Sequence, residues 1–539
     1  MKKTFFYYKP IAIALGALLF TASCTKDFTD LNTNPAGVKD EEAMGDFALV
    51  AAYLAQGQRA IISENVGEYQ LSNNLTSDAY SGYFASPTPF VGNANNLTYS
   101  LVPSWFSSLW VDRYIRAMNP ISRVEIMTRA DENLQDIFAF SKVLKVSAMH
   151  RTSDKVGPII YSKYNAPDES NQIHYDSQEE AYNNFFKDLD TATSILKTYV
   201  GQNVSSAMQK SDLAYTSDNY THWLKFANTL RLRLALRIAY VNPTLAKSEG
   251  EKSLDPSSGG LLAETADNCL ISLSTDHPLN IITSSWSDTR MHANVESILG
   301  GLNDPRLSKY FLPALDATVR DQRKGLRTGI NIDAKGRYEN FSRLSPQLNK
   351  MQLMVASESW FLKAEAALRG WNNAGDAKIN YETGVTRSFE MHQLGGAAAY
   401  ISNATNIPAP YTDPKSVTAG QNNIAAGSPY LSTITVQWNE ADTRDRKLER
   451  IITQKWIAMF PDGDEAWAEY RRSGYPILFP VVVNLSNNVI PTNPGIRRMP
   501  YPEREYNSNN AAVTKAVEML GGKDNGGTRL WWDIANKTL

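Results

Sequence analysis

The sequence predicts a mostly α-helical chain: a tetratricopeptide-like superhelix of helical hairpins carrying long irregular loop insertions. Three observations lead there. From Asp46 onward, segments whose apolar residues recur at three- and four-residue steps alternate with polar turns. The segment opening at Glu358 reads as a helix-turn-helix of about 34 residues, close to the tetratricopeptide period. The stretch RKLERIITQKWIAMFPDGDEAWAEYRRSGYP, Arg446 to Pro476, reads as two helices around a tight corner. In it Leu448, Ile451, Ile452, Trp456, Met459 and Phe460 share one buried face, and Pro461, Asp462 and Gly463 stop the first helix. Asp464 is placed to cap the second, with Trp467 and Tyr470 one turn apart on its inner side.

The chain opens with Lys2, Lys3 and Lys9 before an apolar run from Ile11 to Phe20, then Thr21, Ala22, Ser23 and Cys24. Ten such residues span roughly 15 Å as a helix, about half of a ~30 Å hydrocarbon core, so residues 1–23 read as a removable export signal. Small residues directly before a cysteine resemble the bacterial lipobox, with Thr21 where Leu is usual. Cys24 is then the lipidated first residue of the mature chain, anchored to a membrane without spanning it. The alternative partner for Cys24 is a disulfide with Cys269, the only other cysteine. Residues 24–45 follow as a polar tether.

Residues 46–539 read as a single domain with helical repeats over about 46–241 and 350–475. Phe47, Val50, Ala51, Leu54 and Ile61 mark a first helix, Trp105 to Met118 a second, Phe138 to His150 a third and Gln178 to Leu196 a fourth. Asn219 to Val241 is apolar on more than one side, through Trp223, Phe226, Leu230, Leu234 and Ile238 and also Leu232 and Leu236. Such a helix belongs inside a stack. Glu358 to Trp371 puts Trp360, Phe361, Ala364, Ala367, Leu368 and Trp371 on one face, and after a turn Asp376 caps a helix carrying Ala377, Tyr381, Val385 and Ser388. Between the helices lie irregular segments at about 78–103, 242–345 and 395–442, and from 476 to the end. Loops of this length in a compact protein are functional or disordered. Asp78 to Tyr99 sets Tyr80, Tyr83, Phe84, Phe90 and Tyr99 among Asn, Gly and Ser, which is too aromatic for a linker.

Composition narrows the chemistry. A net charge of about −2 with evenly spread acids and bases provides no footprint for nucleic acid. No nucleophile elbow, phosphate-binding glycine loop or zinc motif is present. The six histidines are scattered, and His150 and His222, at helix ends, read as structural or solvated. Asn331 to Gly336 begins like a calcium loop through Asn331 and Asp333, but Lys335 and Ser342 occupy positions that need oxygen ligands of the acidic kind. No metal or catalytic residue is therefore assigned and no cofactor is expected, although a structural calcium without a motif is left open. Asp462 to Glu465 reads as a turn and helix cap. What the loops supply is flat aromatic surface beside amides, acids and arginines, which suits sugar rings and extended peptides alike.

Several of these motifs carry a resemblance. Lys-Trp-Ile-Ala at Lys455, Glu-Ala-Trp at Glu465, Tyr-Arg-Arg-Ser-Gly-Tyr-Pro at Tyr470 and RRMPYPEREYNSNN at Arg497 resemble the SusD/RagB family of nutrient-binding outer-membrane lipoproteins of Bacteroidetes, in its SusD-like branch. The pattern Asp27, Phe28, Asp30, Asn32, Asn34, Pro35 behind the lipobox cysteine, and the helices NTLRLRLALRI and LKAEAALRGW, are similar to that family too. The resemblance implies a surface-exposed, non-enzymatic lipoprotein on the outer membrane. It would bind a nutrient oligomer and deliver it to a SusC-like, TonB-dependent barrel over which it sits as a lid. Glycan is preferred to peptide, and both stay open.

The family's ligand ledge is built from the early loop and from the irregular segment between the helical blocks. Here these are Asp78 to Tyr99 and about Ser284 to Tyr338, and by segment the resemblance points to Asp78, Tyr80, Tyr83, Phe84, Tyr99, Trp286, Arg290 and Tyr338. For each aromatic, burial under its own loop is the competing expectation. Two other classes remain: a secreted hydrolase, which needs an acid pair or nucleophile that the sequence does not display, and a helical-repeat adaptor between envelope proteins.

Overall fold

Charged side chains in the middle of apolar helices are what the predicted stack has to accommodate, and they explain how it is assembled. The computed structural model describes residues 46–346, 348–537 and 539; Cys24, the export signal and the tether lie outside the described residues. The long helices are Ala48–Ile61, Gln135–Val156, Gln178–Tyr199, Asn219–Arg237, Ala356–Leu368, Ala377–Met391, Arg444–Ala458 and Gly463–Ser473. They pack in a chain of neighbours. Gln135–Val156 lies against Gln178–Tyr199, which lies against Asn219–Arg237; Ala356–Leu368 meets both Ala377–Met391 and Arg444–Ala458. Gly384 lets the Ala356–Leu368 and Ala377–Met391 helices close up, since a Cβ there would sit 2.9 Å from the Phe361 ring. The fold is helical as the periodicity predicts, and among the described residues no helix is long and apolar enough to cross a membrane.

Asn219–Arg237 is buried on all sides, and Arg231, Arg233 and Arg237 are buried with its leucines. An uncompensated guanidinium inside a protein costs several kcal/mol, so each is paired. Arg233 grips Glu358 through Nε and Nη2 at 2.8 and 2.6 Å. Arg237 reaches Glu465 at 2.7 Å, Glu469 at 2.5 Å and Asp154 at 3.3 Å. Lys455 sits 3.2 Å from Glu469 and 3.3 Å from Glu465, and Arg472 bridges Glu469 and Glu365 at 2.8 and 2.6 Å. One network thus joins five helices from four parts of the chain.

The corner after Arg444–Ala458 differs from the expectation in one respect. The cap of Gly463–Ser473 is Asp462, whose side chain accepts from the Glu465 N–H. Asp464 instead turns inward to Lys155 at 2.6 Å, Arg113 at 3.6 Å and Ser77. Those cations outweigh a capping bond, and they hold its carboxyl down to about 2 despite its burial. Gly463 at this corner has no room for a side chain, because a Cβ would lie 2.2 Å from Asp78 Oδ1.

The irregular segments hold more structure than the sequence reading gave them. Pro243–Leu254 is a helix with Pro at its first turn and Asn242 as cap, and Glu503–Ser508 and Asn510–Met519 are helices near the C-terminus. Their apolar stripes are short, so periodicity alone leaves them unmarked. Two small antiparallel sheets tie loops to the stack. Phe84–Ala85 pairs with Arg290–Met291, and Cys269–Ser272 pairs with Lys350–Met354 around a bulge at Cys269 and Leu270. Cys269 is buried and, among the described residues, a free thiol. His150 is also buried, and burial with Arg151 nearby keeps it neutral.

Two stability outcomes follow. Glu469→Gln removes the shared anion of Arg237, Lys455 and Arg472, so it is expected to lower unfolding free energy by about 3–5 kcal/mol in denaturant titration. Asp78 accepts from Tyr69 at 3.0 Å, and burial, with Asp464 beside it, raises its carboxyl to about 8. A carboxyl raised on folding makes the native state bind the proton more tightly, so its ionisation removes stability as pH rises from about 4 towards 8. Asp78→Asn is therefore expected to raise Tm relative to the parent at pH 8.5, by more than at pH 5.

Candidate functional site

The two segments expected to form a ledge do meet. The Phe84–Ala85 and Arg290–Met291 pairing brings the early loop onto the segment after the Pro278–Ser284 helix. At that helix's end the Trp286 N–H donates to the Ile281 carbonyl at 3.0 Å and the Asp288 N–H to Ile282 at 2.9 Å. Ser287 between them is left-handed, at φ 53°. This tight turn aims the Trp286 indole outwards, and the residue stays 38% exposed.

Around Trp286 the turn is braced by polar groups. Lys335 Nζ donates to the Trp286 carbonyl at 2.6 Å and to Asp288 Oδ1 at 2.8 Å. Asp288 also accepts from Thr88 Oγ1 at 2.6 Å and Gln70 Nε2 at 3.1 Å. Further along, Asn93 Nδ2 donates to the Ile332 carbonyl at 2.8 Å, and Arg337 is paired with Asp333. The tip from Val91 to Asn93 is left-handed throughout, and Val91 is 63% exposed. A β-branched residue in that conformation costs of order 1–3 kcal/mol, and the surrounding bonds hold it there. The result is a rim with one flat indole, an ammonium, carboxylates, a hydroxyl and amides. That combination is suited to noncovalent recognition of a polar, ring-containing ligand.

The other seven predicted site residues lie in the interior. Tyr83 is 1% exposed, its hydroxyl donating to the Trp456 carbonyl and its ring centroid 4.8 Å from Trp456. Phe84 packs between Phe311 and Phe460. Tyr80 donates to the Asn96 carbonyl at 3.1 Å and lies 5.2 Å from Trp467. Tyr99 meets Tyr80 edge-on, and both border a crevice of about 230 Å³. Asp78 is buried beside Asp464 and accepts from the Tyr69 hydroxyl. Arg290 staples the carbonyls of Thr283, Thr289 and Glu339 together, and Tyr338 donates to Asp413 at 2.8 Å. As placed here, these seven are anchors of the two loops, and Trp286 is the one that stands on the surface.

Thr88, Asp288 and Asn93 belong to the rim and were not singled out by sequence reasoning. No periodic signal marks them. Lys335, also of the rim, was noted only as the residue that breaks the calcium-loop pattern, and its ammonium pairs with Asp288. Among the described residues, no group of three or more His, Cys, Asp or Glu is arranged to hold a metal ion.

Comparison with known proteins locates the chain. A family model described as SusD-like, Susd and RagB outer membrane lipoprotein, matches residues 30–533. A chitin-binding SusD homologue from Flavobacterium johnsoniae is similar at 40% identity and TM-score 0.83, over 90% of this chain and 99% of that one. A SusD homologue from Bacteroides vulgatus is similar at 34% identity and TM-score 0.85, over 93% and 100%. One from Bacteroides uniformis is similar at 35% identity and TM-score 0.82, over 90% and 99%. No curated protein matches.

The contrast between anchor and rim is measurable without any ligand. Tyr83→Ala is expected to cost roughly 3 kcal/mol or more in unfolding free energy, as other large-to-small aromatic deletions do. Trp286→Ala should stay within about 0.5 kcal/mol of the parent.

Proposed function

Because the chain belongs to the SusD and RagB family of outer-membrane lipoproteins, we propose that it is a surface-exposed receptor that captures nutrient oligomers, glycans in preference to peptides, and passes them to a SusC-like TonB-dependent transporter. The observation that carries this reading is the Trp286 rim. An indole offers an apolar plane to the face of a sugar ring, while Lys335, Asp288 and Thr88 beside it, and Asn93 further along the same pair of loops, supply donors and acceptors for hydroxyls and amides. The Flavobacterium johnsoniae relative is described as chitin-binding, so chito-oligosaccharides are the first cargo to test. Binding of this kind needs no catalytic group.

Residues 1–23 act in this reading as the export signal, and Cys24 carries the lipid that holds the protein to the outer membrane by the 24–45 tether. Two or three acyl chains suffice for stable anchoring, where one is marginal. The receptor then works as a lid on its transporter, and a ligand shifts the lid towards closure by the difference in its affinity for the two positions. The rim suits that role because its loops are anchored by buried tyrosines and by Arg290, which reduces the ordering cost on binding.

The test is calorimetric titration of the mature protein, beginning just after Cys24, with chitohexaose and a matched panel of peptides, followed by mass spectrometry of the recovered ligand. The expected result is saturable binding of intact oligosaccharide, weakened at least about tenfold, or ~1.4 kcal/mol, by Trp286→Ala. Cleaved ligand would refute the non-enzymatic reading. Peptide binding alone would refute the glycan preference, and affinity unchanged by the substitution would remove the rim as the site.

A further inference from the structure

We propose that a second, positively charged cleft in this chain binds the acidic group of an anionic sugar, a carboxylate or a sulfate ester. The cleft lies where the Leu307–Tyr310 and Ala377–Met391 helices face the Lys350–Met354 strand, and it encloses about 420 Å³, within the ~300–1,000 Å³ of small-ligand sites. Lys309 and Lys350 line it, and among the described residues no aspartate or glutamate does.

Neither lysine has an acidic partner among the described residues. Lysines beside other loops of this chain are paired: Lys335 with Asp288, Lys324 with Glu296 and Lys415 with Asp316. Two lysines lining one hollow without a counter-charge raise its potential and attract an anion. Their heads are not tied down by an ion pair that a ligand would first have to break.

The remaining lining adds shape and hydrogen bonding without charge. Tyr310 donates its only hydroxyl proton to the Ile457 carbonyl at 3.0 Å, so its oxygen accepts from His392 Nε2 at 3.1 Å. Burial, with Arg306 close by, holds His392 down to about 4, so it is a neutral imidazole at physiological pH and its Nδ1 is an acceptor. Tyr310 stacks on Phe460 at 4.4 Å, and Gln352 is fixed by donating to the Met459 carbonyl at 2.8 Å. The walls are therefore preformed. A sugar body provides hydroxyls for the imidazole and amides, and the acid meets the lysines by charge-assisted bonds.

This inference shares with the proposed function only the premise that the cargo is a glycan, and Trp286 takes no part in it. The test is titration of the full mature chain with glucuronate, glucose 6-sulfate and glucose, using the parent, a Lys309→Gln/Lys350→Gln double variant and Trp286→Ala. The expected result is binding of at least one of the two acids, no binding of glucose at the same concentration, and at least about tenfold loss in the double variant. Trp286→Ala should bind the acid as the parent does. Which acid binds tells carboxylate from sulfate. Silence towards both acids, equal binding of glucose, unchanged affinity in the double variant, or loss in Trp286→Ala would each overturn the proposal. Failure of chitohexaose with success of an acid would refute the cargo and site of the preceding reading while leaving this one standing.

Discussion

Pairing of charge inside the helical stack is the constraint on which the rest of this structure depends. Arg233, Arg237, Lys455 and Arg472 have no access to water, and neither do Glu358, Glu365, Glu465 and Glu469. Each ion is tolerable only with its partners in place, so helices distant in sequence must dock in one relative arrangement or not at all. Apolar packing supplies most of the driving force, as it does in any core of this size, but it is forgiving of small slips between helices. Bidentate guanidinium–carboxylate geometry is not, because its two bonds fix direction as well as distance.

That arrangement reaches the Trp286 rim through a short path. The corner at Gly463 admits no side chain and receives Asp78, whose helix begins the early loop. From there Tyr83 bonds to the backbone of the Arg444–Ala458 helix and Phe84 enters the aromatic cluster around Phe460. The two-residue strand Phe84–Ala85 then fixes Arg290–Met291, and the turn bearing Trp286 lies just before it. A surface indole is thus held by a chain of buried contacts running back to the ion-pair network. The same Phe460 ring stacks on Tyr310, which lines the cleft with Lys309 and Lys350, so the rim and that cleft lean on one rigid element.

Rigidity of this kind suits a receptor. Loops that are ordered before the ligand arrives lose little entropy on binding, and weak individual contacts then suffice. The strained tip at Val91 to Asn93 fits the same logic, because its conformation is imposed by bonds to the neighbouring loop. In this light Tyr80 and Tyr83 of the early loop are supports of the rim, and their hydroxyls are consumed by the backbone carbonyls of Asn96 and Trp456.

The sequence by itself determined the helices, because amphipathic periodicity is a local property: Gln178–Tyr199 and Asn219–Arg237 lie where their apolar residues repeat. It also showed that the loop from Asp78 to Tyr99 is rich in aromatic residues, and its motifs identified the family. It did not determine which end of an aspartate pair would cap. Asp464 and Asp462 are equally good caps in isolation, and the choice was made by Arg113 and Lys155, which come from other parts of the chain. Nor could it separate Trp286 from Tyr83. Both are aromatic residues in polar loops, and only tertiary structure decides that one ring meets Trp456 and Phe460 while the other is turned outwards at a helix end. Exposure depends on what folds over a residue, and what covers Tyr83 lies more than 370 positions away.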